Sequence, residues 1–370
     1  MILFTIAVFI AVLGLLVFVH ELGHFVMAKR AGMRVDEFGF GFPPRLFGIK
    51  KGETLYSINA IPLGGFVKIV GEDGSEINDP QSFANKSYWH RFSVLVAGVT
   101  MNVILAWVLM SIGMGVGLPT VLDENSQLPK SAMVRNSSVG VLETAPESPA
   151  QRAGLKPADV IAKINGEEID SIKEAQTITQ NQAGIPTAYT IKRGSEIFDA
   201  TITPRANPPT GEGFLGIALG EIALVSYPWY EAIWHGLVYT INLLVYTVSA
   251  FWSLIVGAFQ GADVGAALSG PVGIAVLTRD VTRLGFIYLL QFTALLSINL
   301  AIINIVPFPA LDGGRILFLA VEKLRGKKMN PKAEVWANTI GFMLLLLLMV
   351  GVTVHDFDKF NIISRVKNLF

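Results

Sequence analysis

The chain contains no cysteine, has 16% charged residues and carries no net charge. Without cysteine it has no disulfides, no thiolate metal ligands and no cysteine nucleophile. Lys+Arg and Asp+Glu both total 29, so no basic excess marks a nucleic-acid partner. Low charge beside 52% hydrophobic residues is too apolar for an ordinary soluble domain. What the chain has instead is long apolar runs.

Five runs are candidate spans: Ile2 to about Ala28, Phe92 to Leu118, Tyr230 to Phe259, Leu284 to Val306, and Val335 to Val354. Residues 29–91 carry nine Lys/Arg, from Lys29 to Arg91, and a second basic stretch runs from Arg315 to Lys332. Basic loops stay in the cytoplasm, which places both stretches on that side. An odd number of crossings must then separate the second span from Arg315. We expect Leu284–Val306 to cross, and residues 226–283 to form an interfacial or re-entrant helical segment.

The first run ends in His20-Glu21-Leu22-Gly23-His24. On a helix His20 and His24 are i and i+4, on one face, spaced to share a metal. Glu21 beside them is placed to take a proton from water. Ionisable groups inside a membrane are costly and usually mark a site. A catalytic zinc takes three protein ligands plus water. The best third candidate is Asp312, at the end of Asn304–Asp312 and followed by Gly313-Gly314, where prolines end the apolar helix. His90, His235 and His355 lie near predicted span ends and are expected to be bystanders. Asp263, Asp280 and Glu322 are expected to be solvated loop or helix-end charges.

Within 34–91, residues 34–72 are rich in glycine and proline, with strand-like runs at Thr54–Ile58 and Gly65–Val70. They read as a cytoplasmic-side β-hairpin or re-entrant sheet. Within 119–225, residues 130–206 read as a compact domain with strands at 139–142, 160–164, 187–192 and 197–203 around a helix near 171–182. The phrase Ala153-Gly154-Leu155-Lys156-Pro157-Ala158-Asp159-Val160-Ile161, followed by Ile164-Asn165-Gly166, resembles the PDZ domains of bacterial membrane and periplasmic proteases, where Gly is usual at the place of Ala158. PDZ domains bind extended peptides by adding a strand to a sheet edge.

The whole chain resembles the site-2 proteases, intramembrane zinc metalloproteases, in the regulator-of-sigma-E branch. The matching pieces are His20–Phe25, Phe38–Gly41, Pro62–Lys68, Gly98 and Asn102, the PDZ-like region, Ser269–Ile274, and Asn304–Gly314. Two features depart from the family: Val99 stands where Pro is usual, and there is room for one PDZ domain where some relatives have two.

The resemblance implies a multi-span α-helical membrane protein with a membrane-associated β-hairpin region and an inserted extracytoplasmic α+β PDZ domain. Its pieces would be the first span with its motif (1–33), the β region (34–91), the second span (92–118), the PDZ region (119–225), the interfacial segment (226–283), the span with Asp312 (284–328), and the last span with the C-terminal tail (329–370). It implies one zinc per chain on His20, His24 and Asp312, and Glu21 as general base. Asn304, Pro307, Pro309, Asn102, Gly65 and Phe66 would lie near substrate. The substrate would be a single-span membrane protein already cut by another protease, such as an anti-sigma factor or remnant signal peptide. The PDZ domain would either read the substrate's new terminus or only exclude bulky substrates, and the chain would sit in lipid in a bacterial inner membrane, its active site near the cytoplasmic face. Two rival classes are a membrane zinc transporter and a non-catalytic PDZ scaffold. The adjacent Glu21 speaks against the first, and the intact residue set against the second.

Overall fold

The computed structural model describes residues 2–72, 76, 78–122, 128–194, 196–262, 265 and 269–359. Asp263 and the C-terminal tail beyond Lys359 lie outside the described residues. In chain order the elements begin with helix α1 (Ile2–Arg30), strands β1 (Val35–Lys51) and β2 (Thr54–Ile69), and helix α2 (Tyr88–Val116). Then come β3 (Leu118–Leu122), β4 (Met133–Thr144), α3 (Pro149–Arg152), β5 (Val160–Ile164), β6 (Glu167–Glu168) and α4 (Ile172–Asn181). Strands β7 (Thr187–Arg193), β8 (Glu196–Ile202) and β9 (Ile217–Ser226) follow. The rest is helical: α5 (Trp229–Phe259), α6 (Pro271–Leu284), α7 (Phe286–Ile305), α8 (Asp312–Arg325) and α9 (Pro331–Lys359). Contacts divide the chain into two units, Met1–Leu109 with Val238–Arg279 and Phe292–Phe370, and Met110–Leu237 with Asp280–Gln291.

Among the described residues, five helices are long and apolar enough to cross a membrane: α1, α2, α5, α7 and α9. In the first unit α1 and α2 meet at small residues. A Cβ added to Gly23 would overlap the Ala97 carbonyl, so only glycine permits this approach. An apolar cluster of Ala28, Met33, Val35, Ile69, Val94, Leu95 and Leu319 ties α1, the strands, α2 and α8 together. The strands pair antiparallel and bend, so Phe38 faces both Val67 and Tyr56, and Phe40 faces both Gly65 and Ile58. This leaves residues 65–69 of β2 as one edge, with no strand among the described residues on its outer side. That edge runs past α1: a Cβ on Gly65 would lie 3.5 Å from Glu21 Cγ.

The second unit holds a sheet of order β3-β9-β4-β5-β7-β8, with β6 on β5. Its core is built from branched side chains such as Val139, Val141 and Ile191 around a fully buried Tyr189, and an irregularity in β5 between Ile161 and Lys163 lets Ile161 and Ile164, three apart, both point inward. Ser171 caps α4 by accepting from the Glu174 amide at 3.2 Å. The fully buried Asp159 accepts from Arg193 at 2.6 and 2.7 Å, and these hydrogen bonds hold the guanidinium above its ordinary pKa. The sheet reaches beyond residues 130–206, because β9 pairs with β4 along most of its length and β3 pairs with β9. Ala158 sits at φ +72°, a left-handed conformation that explains why glycine is usual there.

The segment after β9 contains a continuous helix, α5, of 31 residues. One expectation changes. Glu322 is not solvated: its side chain is 12% exposed and accepts from Arg91 Nη1 at 2.7 Å and from the Met329 amide at 2.9 Å. Asp280 is half exposed and pairs with Lys156 at 3.0 Å.

Candidate metal centre

The helical spacing of α1 puts His20 and His24 on one face, and the chain returns 288 positions after His24 to bring Asp312 against them. The residue of contact is α8's first, just after Leu311, whose extended backbone starts the helix. The turn before it leaves no room for side chains. Cβ atoms on Gly313 and Gly314 would overlap the carbonyls of Ile305, Val306 and Phe308. Ala310, at φ +76°, donates its amide to Asn338 Oδ1 at 3.0 Å, and Gly341 packs on Pro309, so α9 holds the turn from the other side.

Three atoms form a near-equilateral triangle. His20 Nε2 and His24 Nε2 are 3.2 Å apart, and Asp312 Oδ2 lies 3.2 and 3.3 Å from them. Ligands of a tetrahedral ion with bonds of ~2.0–2.1 Å are about 3.3 Å apart, so the triangle has the size of a zinc site. The donor set, two imidazoles and one carboxylate, is one that catalytic zinc uses. Asp312 Oδ2 is buried without a well-directed hydrogen bond, as a ligand atom would be.

The far nitrogens are held by groups outside the triangle. His24 Nδ1 lies 2.8 Å from the Val94 carbonyl, so it must carry the proton and Nε2 keeps its lone pair for a metal. His20 Nδ1 lies 3.1 Å from the Asn102 amide nitrogen, while Asn102 Oδ1 is buried without a partner. Turning that amide over puts its acceptor on His20 Nδ1–H and frees His20 Nε2 for the ion. Ser297 fixes Asn102 by donating to its carbonyl at 2.8 Å. A Cβ on Gly98 would overlap His24 Nε2 and lie 2.7 Å from His20 Cε1, so glycine is required there.

The sequence candidates divide on inspection. His20, Glu21, His24, Asn102, Gly65 and Asp312 come together as described. Asn304 is half-buried in the last turn of α7, Pro307 is exposed, and Pro309 packs against α9 at Gly341. Phe66 covers Gly39. His90 bonds Ser87, and His235 stacks on Tyr227 with centroids 4.1 Å apart. Two ion pairs on α8, Arg315–Glu72 and Arg91–Glu322, were invisible in the sequence because their partners lie 243 and 231 positions apart.

Membrane-length helices around a His-His-Asp triangle with an adjoining glutamate define a metal-dependent hydrolase in a multi-pass membrane protein. The family model for Peptidase family M50 matches residues 8–348. The chain belongs to that family, the site-2 protease type of zinc metalloendopeptidase. Zinc metalloprotease RasP of Geobacillus kaustophilus is 33% identical over 95% of this chain and 97% of its own. Regulator of sigma-W protease RasP of Bacillus subtilis is 30% identical over 96% of this chain and 98% of its own. Among solved structures, the PDZ domain of an SdrC-like protein from Listeria monocytogenes covers 25% of this chain and 93% of that one, at 22% identity and TM-score 0.20.

Proposed function

We propose that this chain cuts a peptide bond within or near the transmembrane helix of single-span membrane proteins, with His20, His24 and Asp312 holding one zinc and Glu21 as general base. The observation that carries it is the 3.2–3.3 Å triangle with a carboxylate on the same helix. Zinc, when bound, supplies Lewis-acid chemistry that polarises the scissile carbonyl and acidifies water. Glu21 takes the proton from the attacking water as its oxygen bonds to the carbonyl carbon. The same carboxyl group then delivers that proton to the nitrogen as the C–N bond breaks. Asn102 and the Val94 carbonyl keep both imidazoles oriented throughout.

A helical substrate shields its own peptide bonds and must extend before attack. The open edge at residues 65–69 lies beside Glu21 and offers backbone partners for an added strand. Asn304 would hydrogen-bond the opened backbone, and Pro307, Pro309 and Phe66 would lie near it. Substrates are single-span proteins already trimmed outside, of the anti-sigma-factor or remnant-signal-peptide kind. The sheet domain, of PDZ type, faces outside the cytoplasm and meets their shortened ends. The exposed apolar side chains of the ribbon, Phe42, Leu46, Phe47 and Ile49 among them, suit contact with lipid.

The topology has four crossings in a bacterial inner membrane, with α5 lying along one side. Asn338 is level with the Asp312 turn, and Asp356, 18 residues further along α9, accepts from the Gly270 and Gly273 amides at 3.0 and 2.7 Å. That is about 27 Å of helix. The start of α6 is therefore held at the face opposite the basic segment after Asp312. With α5 entered from the outer face and left on it, its 31 residues make no net crossing.

The test is cleavage of a tagged single-span substrate with a truncated outer region, comparing wild type with Glu21→Gln at equal membrane levels. Cleavage by wild type alone is expected; equal cleavage by both removes Glu21 from the mechanism. Because the chain has no cysteine, a single cysteine at Gly261 reports its side directly, and cytoplasmic labelling would refute the proposed path of α5.

A further inference from the structure

Helix α8 carries two ion pairs at different heights. In its first turn Arg315 donates to Glu72, three residues past the end of β2. Further along, Glu322 accepts from Arg91 at the start of α2. The second pair is the more enclosed, with side chains 15% and 12% exposed against 35% and 22% for the first. Burial makes Arg91–Glu322 the costlier pair to break, and solvent makes Arg315–Glu72 a weak contributor to stability. A cleft of about 370 Å³, lined by Glu72, Ala310, Arg315, Glu334 and Asn338, brings that solvent to the pair.

What sets Arg315–Glu72 apart is what it joins. Arg315 follows Asp312 by three residues on one helical turn, with its amide bonded back to Leu311. Glu72 closes the turn leaving β2, its amide bonded to the Ile69 carbonyl. The same strand, seven residues earlier, runs past Glu21 at Gly65. The pair thus connects the helix that begins with the third ligand to the strand whose free edge lies at the base. Glu72 is also a charge that acts on Arg315 more than any other influence, raising its pKa.

We infer that Arg315 and Glu72 are positioning residues whose ion pair sets the Asp312 carboxylate relative to the strand edge at Gly65. This rests on the proposed roles of Asp312 and of that edge. The pair ties that strand to α8, so metal placement and strand placement are set together. Arg91–Glu322 joins the start of α2 to the middle of α8, ten residues beyond Asp312, and lines a small cavity with the first pair; it does not reach the strand, and it reports what a general loosening of α8 does.

The experiment uses the full chain in lipid nanodiscs. Zinc affinity is measured by competition with a chelator, and cleavage of a tagged single-span peptide gives kcat and KM separately. Arg315→Met and Glu72→Gln are each expected to weaken zinc binding and lower kcat about tenfold or more, in the range for groups that orient metal ligands. The charge-swapped double variant, Glu72→Arg with Arg315→Glu, is expected to recover most of both. Glu322→Gln is expected to lower the melting temperature more than Arg315→Met while weakening zinc binding less. The inference is overturned if Arg315→Met binds zinc and turns over like wild type. It is also overturned if Glu322→Gln loses zinc to the same degree, because a general folding defect then explains both. Asp312→Ala separates the two levels: loss of zinc there with none in Arg315→Met removes only the coupling, whereas retained zinc in Asp312→Ala removes the ligand assignment beneath it.

Discussion

Glycine does different work at the helix crossings of the membrane unit and in the turns of the sheet domain. At the helix crossings of the membrane unit it is required for space. Gly23 and Gly98 sit in ordinary helices, yet a Cβ on either would overlap the Ala97 carbonyl or His24 Nε2. In the turns of the sheet domain it is required for conformation. Gly154 and Gly166 have open space around them but φ of +80° and +85°. In water the sheet domain gathers branched apolar side chains into a core and lets its turns adapt. Lipid gives helices no such drive, so they associate through close backbone approach and hydrogen bonds between buried polar groups, such as Ser297 to Asn102 and Gly273 to Asp356.

Substitutions at matched positions sharpen that contrast. The largest effect is expected for Gly98→Val, which drives two methyl groups into both imidazoles. Purified protein should contain no zinc and show no cleavage, while the sheet domain keeps its protection from proteolysis. Zinc at wild-type level would mean that the helices part freely at this point. Ile164→Ala, in the fully buried core of the sheet, should cost the domain about 2–5 kcal/mol in denaturant unfolding. Its zinc content should not change, and a fall in zinc would show that the two units fold as one. The smallest effect is expected at Ala158, where glycine removes left-handed strain and Ala158→Gly should stabilise the sheet domain by about 1 kcal/mol. No gain in melting temperature would show that Ala158 bears little strain.

The three residues of the triangle were legible in the sequence because a shared metal demands a fixed spacing on one helix and a proline–glycine turn on another. His20, His24 and Asp312 could be read without coordinates, and so could the strand runs of β5 and β7, with their apolar residues at turn-bounded intervals. Strand β9 escaped because Gly220 and Glu221 interrupt its apolar pattern, and its place beside β4 depends on pairings 73–93 positions apart. Asn102 entered only through family resemblance, since a lone asparagine in an apolar helix carries no spacing signal. Glu322 looked like a solvated helix-end charge because local sequence cannot show Arg91, 231 positions away, folding onto it. Periodicity reports local geometry, and long-range ion pairs have none.

The triangle draws two corners from the first helix and the third from a turn 288 residues later. Translation therefore sets a timer. Two of the three proposed ligands leave the ribosome early, on α1, and the third exists only once residue 312 has been made, so a nascent chain shorter than that has no complete triangle.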